Sequence, residues 1–285
     1  MKINSSGVTR SPYLQVLEHI AHPPHTVYYT GHLPPRRTPS VAIVGTRKPT
    51  PYGKEVTFKL AYELAQKGVV VISGLAFGID AIAHRAALDA GGITIAILPG
   101  GIENVYPASH RRLAMEIVEK GGALISEYPG DTGVQKFQLL ARNRLVSGLA
   151  DAVVVTEAAA RSGTLSTVNH ALDQNKEIFA VPGNITSLLS IGPNRLIQQG
   201  AHPVTSTTDI LDILMPNRTV LQTPLFPNET AFEKQIIEAI TSGMTHVDQL
   251  SQVLAATASD LSAAITMLEL NGRIRATGAN NWMVI

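Results

Sequence analysis

The chain has 285 residues, of which 45% are hydrophobic and 16% charged, with 23 Lys+Arg against 22 Asp+Glu and no cysteine. At roughly 150 residues per domain this makes about two domains with ordinary cores, which excludes a disordered chain or a disulfide-stapled miniprotein. Without cysteine there is no thiolate nucleophile and no Cys-held zinc or iron–sulfur centre.

No apolar run reaches a signal-peptide core or the ~20 residues of a membrane span, so a cytoplasmic protein with no membrane partner is expected. Residues 1–40 are rich in Pro and His and carry one short apolar-periodic piece, Tyr13 to Ile20. They read as an N-terminal extension. From Val41 onward, short β-branched runs alternate with helical stretches. The runs are Val41–Val44, Val69–Ile72, Ile93–Leu98, Ala123–Ile125, Ala152–Val155 and Ile178–Val181. Nearly continuous apolar runs of this length suit strands covered on both faces, as in a parallel sheet. Between the first four lie helix-period segments 53–67, 79–90 and 110–120, each stopped by glycine (Gly68, Gly91-Gly92, Gly121-Gly122). The expected fold class is α/β, with a Rossmann-like open parallel sheet over residues 41–215. Residues 216–230 carry three prolines and read as a linker. The last 55 residues, 231–285, predict helices over 231–241, 246–254 and 259–270, a stop at Gly272 and a terminal hairpin. That is a small winged-helix domain.

Ligands of open α/β sheets bind beyond the carboxyl ends of the strands. After the first run comes Gly45-Thr46-Arg47-Lys48, with Lys54 just inside the next helix. A glycine at a strand end lets backbone approach a phosphate, and a helix start offers free N–H groups. The loop lacks G-x-G-x-x-G and G-K-[ST], so neither a dinucleotide fingerprint nor a Walker loop is present and no cofactor is expected. After the fifth run, Ser162-Gly163-Thr164 opens another helix and is suited to capping it or cradling an anion. Lys136, Arg142, Asn143 and Arg144 precede that run. Asp80 and His84 stand four apart, on one helix face; with no third ligand nearby, a capping Asp beside a hydrogen-bonded His accounts for them better than a metal or acid–base pair does.

The net charge of +1 disfavours a nucleic-acid binder until it is divided along the chain. Residues 36–59 hold six cations (Arg36, Arg37, Arg47, Lys48, Lys54, Lys59) and one acid, whereas 231–285 hold five acids and three cations. Phosphate-rich ligands are expected at the sheet edge, single-stranded nucleic acid among them. The third helix of the winged-helix region has no Lys or Arg, so its charge suits a protein-interaction or dimerisation module better than a DNA reader.

Several motifs stand in order: Val41-Ala-Ile-Val-Gly-Thr-Arg47, Ser73-Gly-Leu-Ala-Phe-Gly-Ile-Asp80 with Ala83-His84, Ser126-Glu-Tyr128, Arg142-Asn-Arg144, Ser162-Gly-Thr164, Phe179-Ala-Val-Pro-Gly183 and Leu196-Ile-Gln-Gln-Gly-Ala201. Together they resemble the DNA-processing protein A family (DprA, also called Smf). The resemblance implies a non-enzymatic homodimer that binds and protects single-stranded DNA in natural transformation and loads a RecA-type recombinase onto it. It implies DNA contacts by Arg47, Lys136, Arg142, Asn143 and Arg144, with backbone donors from Ser162, Gly163 and Thr164. Gly45, Thr46, Lys48 and Lys54 join them from the first loop, and no catalytic or metal site is expected. Three departures stand out. Leu139-Leu-Ala141 replaces the Phe-Pro-x that often precedes Arg-Asn-Arg, leaving Phe137 as the nearest aromatic. Phe77 stands where Arg is frequent, and the N-terminal helical domain is absent or reduced to residues 11–33. Two alternatives stay open. One is a nucleotide-acting enzyme of the lysine-decarboxylase-like phosphoribohydrolase group, with Glu157 or Asp80 as the acid because Thr167 stands at the catalytic acid's place. The other is a sensor of a small phosphorylated ligand.

Overall fold

The β-branched runs do form a sheet. The structure, a computed structural model, describes residues 3–216, 230–270, 273–278 and 280–284. It divides into two units, Met1–Asn217 and Arg218–Ile285. The expected linker 216–230 lies, apart from its two end residues, outside the described residues, as does Gly272.

In unit 1 the chain forms β1 (Asn4–Ser6), β2 (Val27–Gly31), β3 (Ser40–Val44), α1 (Pro51–Gln66), β4 (Val70–Ser73), α2 (Ile79–Asp89) and β5 (Thr94–Leu98). It continues through α3 (Arg111–Glu119), β6 (Ala123–Ser126), α4 (Lys136–Ala141), α5 (Asn143–Leu149), β7 (Ala152–Val155) and α6 (Thr164–Asp173). β8 (Glu177–Ala180), α7 (Ile191–Gln198), β9 (His202–Pro203) and α8 (Thr207–Leu214) complete it. The strands lie in the order β1-β2-β6-β5-β4-β3-β7-β8-β9. From β6 to β9 every pairing is parallel, while β1–β2 and β2–β6 are antiparallel. The chain builds outward from β3 on one side through β4, β5 and β6, then returns to β3's other side as β7. This reversal makes a crevice at the carboxyl ends of β3 and β7.

Both faces of the sheet are covered, which is why the strand sequences do not alternate with polar residues. Val41 and Ile43 face a layer holding Leu60 and Leu64 of α1 and Ile79 and Ala83 of α2. Ala42 and Val44 face the opposite layer, with Leu145 and Leu149 of α5. Gly68, Gly91 and Gly121 follow α1, α2 and α3 with φ of 78°, 71° and 87°, the left-handed stop expected of them. α1 begins two residues before the expected Gly53. Pro51 fits the first helical position, where no N–H is needed, and the Thr50 side chain caps the helix by accepting from Gly53 N at 3.1 Å.

Residues 1–40 depart from the reading as an extension. They supply β1 and β2 to the sheet edge, and Tyr13, Leu14 and Leu17 are fully buried in the layer that covers Ala42 and Val44. Gly148 of α5 permits this approach, since a Cβ there would meet Leu17 and Ile20 at 3.0 Å. The Tyr13 hydroxyl donates to Ser40 Oγ at 2.9 Å, and burial pushes its pKa up to about 12. The buried residues belong to the apolar-periodic piece Tyr13 to Ile20, whose pattern did not show which surface it covers because the segment meets the core through 3₁₀ turns, Val8–Arg10 and Gln15–His19, rather than a regular helix.

Unit 2 contains α9 (Ala231–Thr241), α10 (Val247–Val253), α11 (Ala258–Leu270), β10 (Ile274–Gly278) and β11 (Asn281–Val284), the last two an antiparallel hairpin. Its core is Ile236, Leu250, Leu261, Ile265, Leu268 and Ile274. This is the expected three-helix-plus-hairpin winged helix. Thr230 and Glu233 form a capping box at the start of α9. Among the described residues no helix is long and apolar enough to cross a membrane.

Candidate functional site

The crevice at the β3/β7 reversal holds a cavity of about 220 Å³. Three strand-end loops and the α4–α5 junction form its wall.

The loop after β3 is pinned by backbone. Thr46 N donates to Glu157 O at 2.7 Å, and Ile79 N donates to Thr46 O at 3.2 Å. Gly45 is required by this close approach, because a Cβ would lie 2.6 Å from Ile79 Cγ1 and 2.9 Å from Glu157 O. Arg47 is thereby carried to the cavity wall with its side chain exposed. Ser162, Gly163 and Thr164 reach the same cavity from the start of α6, where Thr164 N donates to Ser162 Oγ at 3.2 Å. Asn143 also lines it and donates through Nδ2 to Gly163 O at 3.4 Å, tying α5 to the loop after β7.

Arg142 lines the cavity but is only 6% exposed. Its Nη1 donates to Gly74 O and Ile97 O, both at 2.5 Å, so one guanidinium ties the carboxyl ends of β4 and β5 together. Burial lowers its pKa from the usual arginine value, and the charge of Asp80 opposes that shift. Asp80 Oδ2 accepts from Gly74 N at 3.1 Å and Ala76 N at 3.4 Å. Burial raises the Asp80 pKa, against the pull of Arg142 and of these amide bonds.

Of the twelve residues singled out in the sequence, Gly45, Thr46, Arg47, Arg142, Asn143, Ser162, Gly163 and Thr164 converge on this cavity. Lys48, Lys54, Lys136 and Arg144 do not line it. Lys48, Lys54 and Lys136 are exposed, whereas Arg144 is engaged by Glu127, donating from Nη2 to both carboxylate oxygens at 2.6 and 2.8 Å. The cationic stretch 36–59 also disperses in three dimensions. Arg37 pairs with Asp151 at 2.5 Å and lies over the Tyr13 ring at 5.3 Å, so among those six cations Arg47 is the one lining the cavity.

Gly74, Ala76, Leu139, Leu140 and Thr167 line the cavity without having been singled out as site residues. Gly74 and Ala76 follow β4, so the strand-end rule that found Gly45 also applies to them. Leu139 and Leu140 follow no strand and were marked only by the resemblance, as the replacement for Phe-Pro-x before Arg142. Phe137 is 61% exposed and outside the cavity lining. His84 Nδ1 lies 2.6 Å from Thr94 Oγ1, which donates to Val71 O at 2.7 Å, so this histidine belongs to the core. Among the described residues no group of three or more His, Asp or Glu could hold a metal ion. Both carboxylate oxygens of Glu157 accept from Thr50, from its N–H at 2.9 Å and its hydroxyl at 2.5 Å, which makes this acid a brace for the start of α1.

Comparison with known proteins gives a consistent result. Residues 7–215 match the family described as DNA recombination-mediator protein A, and residues 222–280 match the DprA winged helix domain. The chain is 40% identical over 225 residues to the DNA processing protein DprA of Bacillus subtilis, covering 79% of this chain and 75% of that one. It is 43% identical over 191 residues to protein Smf of Escherichia coli, covering 67% of this chain and about half (51%) of the relative's length. The crystal structure of DNA processing protein A from Streptococcus pneumoniae superposes with a TM-score of 0.69 at 37% identity over 75% of each chain. The Helicobacter pylori DNA processing protein A, described for its single-stranded DNA binding mode, superposes with a TM-score of 0.67 at 32% identity, covering 76% of this chain and 97% of that one.

Proposed function

The chain belongs to the DNA recombination-mediator protein A family, and from that premise we propose that its sheet-edge cavity binds single-stranded DNA through the phosphate backbone. The observation that carries this reading is the convergence of Arg47, Asn143 and the start of α6 on one cavity at the topological reversal of the sheet. Arg47 supplies an exposed cation, the helix start supplies backbone N–H donors and the positive end of its dipole, and Asn143 supplies an amide. Lys48, Lys54 and Lys136 extend the positive field around the opening. Their contribution is electrostatic and independent of base sequence, because phosphate contacts position a strand without reading it. In this role the protein holds single strands in the cytoplasm as a homodimer during natural transformation and hands them to a RecA-type recombinase. It needs no cofactor and catalyses no reaction. The acidic winged helix serves protein contacts.

The test is a titration of single-stranded and duplex oligonucleotides at several salt concentrations. Single strands are expected to bind more tightly, with log affinity falling by about 0.7 per log unit of salt for each phosphate neutralised. Arg47→Ala is expected to weaken all sequences alike and to reduce that slope by about one contact. Salt-insensitive binding equal for both nucleic acids overturns the reading; an Arg47→Ala slope equal to the parent's removes Arg47 from the site.

One observation favours a second reading. Asp80 is a buried carboxyl with a raised pKa in the wall of this cavity, the form a general acid takes. Release of adenine from AMP by the purified protein would establish the phosphoribohydrolase alternative. Binding of a mononucleotide without turnover would point to a sensor.

A further inference from the structure

We propose that Phe77, together with Tyr106, forms a nucleobase-stacking step beside the phosphate cavity, so that the protein grips one base as well as its backbone. This rests on the single-strand reading and adds to it a base-contacting residue. A second, smaller cleft adjoins the cavity and shares with it Arg47, Gly74, Ala76, Leu139 and Arg142. What it adds is aromatic and apolar: Phe77, Tyr106, Pro99 and Pro107. The cleft itself, about 10 Å³, is too small to admit a base, so a strand whose phosphate sits by Arg47 meets beside it the exposed rings of Phe77 and Tyr106 as a surface to lie on.

Phe77 is 47% exposed and Tyr106 42% exposed, so two large rings are left partly in water at one spot. The ring of Phe77 is nevertheless held in place from several sides. Its loop is fastened by the Asp80 carboxylate, which accepts from Gly74 N and Ala76 N. His110 braces it too, meeting the Phe77 ring edge-on at 4.9 Å between centroids while its Nδ1 lies 2.8 Å from Leu75 O. Leu75 and Gly78, on either side, take φ of 57° and 76°, turning the loop sharply around Phe77. A braced, half-exposed ring beside a cation is the arrangement that stacks a base, and it tolerates any sequence because every base has a π-face.

The experiment compares an oligo-dT with an abasic oligomer of the same length and phosphate count, by fluorescence anisotropy with the full chain at fixed salt. The parent is expected to bind oligo-dT about ten-fold more tightly than the abasic oligomer. Phe77→Ala is expected to bring oligo-dT down towards the abasic level while abasic binding holds, and Phe77→Trp to restore the preference. If the parent binds both oligomers equally, or Phe77→Ala weakens both alike or neither, the stacking step is wrong while the single-strand reading stands. If the parent binds neither oligomer, the single-strand reading itself fails and the stacking step falls with it.

Discussion

Replacing Arg142 by methionine tests whether this residue is a strut or a surface cation. Methionine keeps an unbranched stem of similar bulk and removes the charge and every donor. The perturbation strips Gly74 O and Ile97 O of the Nη1 donor they share, at a site where the side chain is 6% exposed and water has little access. Hydrogen bonds to a charged group contribute ~1.5–3 kcal/mol each, so two place the loss at about 3–6 kcal/mol. That is a large part of the roughly 5–15 kcal/mol that holds a domain folded. Asp80 adds to it in the same direction. With the nearby cation gone, only hydrogen bonds from Gly74, Ala76 and Ser73 still oppose the burial that disfavours its charged form, so Asp80→Asn combined with Arg142→Met is expected to lose less than the sum of the single changes. Urea titration is the assay, and the aromatic residues separate the units. All seven tyrosines lie in unit 1 and the single tryptophan, Trp282, lies in unit 2. Tyrosine near-UV circular dichroism follows the sheet, and Trp282 fluorescence follows the winged helix. With a slope near 3 kcal/mol per molar urea, the tyrosine midpoint should fall by about 1–2 M. A loss below about 1 kcal/mol would refute the strut, and any weakened DNA binding in that variant would then reflect a direct contact.

His84 and Tyr13 give two further tests. Burial lowers the His84 pKa to about 3 from its ordinary 6.5, with the charges of His110 and Arg142 acting in the same direction. Between those values the unfolded chain binds a proton that the folded one refuses, so stability is complete above about 6.5 and declines as pH falls towards about 3. His84→Asn keeps a donor near the Nδ1 position towards Thr94 and cannot titrate, so its urea midpoint should vary less across that window; an unchanged pH profile would show that other groups set it. Tyr13→Phe removes the hydrogen bond to Ser40 Oγ while Ser40 still donates to Thr38 O at 2.7 Å. The expected cost is ~0.5–1.5 kcal/mol by thermal or urea unfolding. No measurable loss would mean that the hydroxyl adds nothing to the packing of the N-terminal segment.

The strands from Val41 to Val181 and the helices α1, α2 and α3 were legible because a doubly covered sheet demands unbroken β-branched runs, and glycine stops mark where those three helices end. The cavity was legible in outline for a topological reason. In an open α/β sheet the loops at the carboxyl ends gather at one edge, so Gly45-Thr46-Arg47 and Ser162-Gly163-Thr164 had to face the same side once the strands were placed. The winged helix followed from helical spacing, with Leu261, Ile265 and Leu268 on one face of α11.

Partners from distant segments could be assigned only in three dimensions. Arg142 and Arg144 look alike in sequence as adjacent cations near a phosphate-type loop. One is buried against two strand-end carbonyls and the other is taken by Glu127, because the α4–α5 junction points them at different neighbours. Arg37 and Arg47 likewise belong to one cationic stretch, yet Asp151, over a hundred residues downstream, takes the first and leaves the second at the cavity. The first forty residues became part of the core by covering a sheet face that their own pattern did not announce. Local periodicity records which residues seek burial and in what secondary structure. Which charge remains free for a ligand depends on long-range packing, since burial and pairing are properties of neighbours that the chain brings together only on folding.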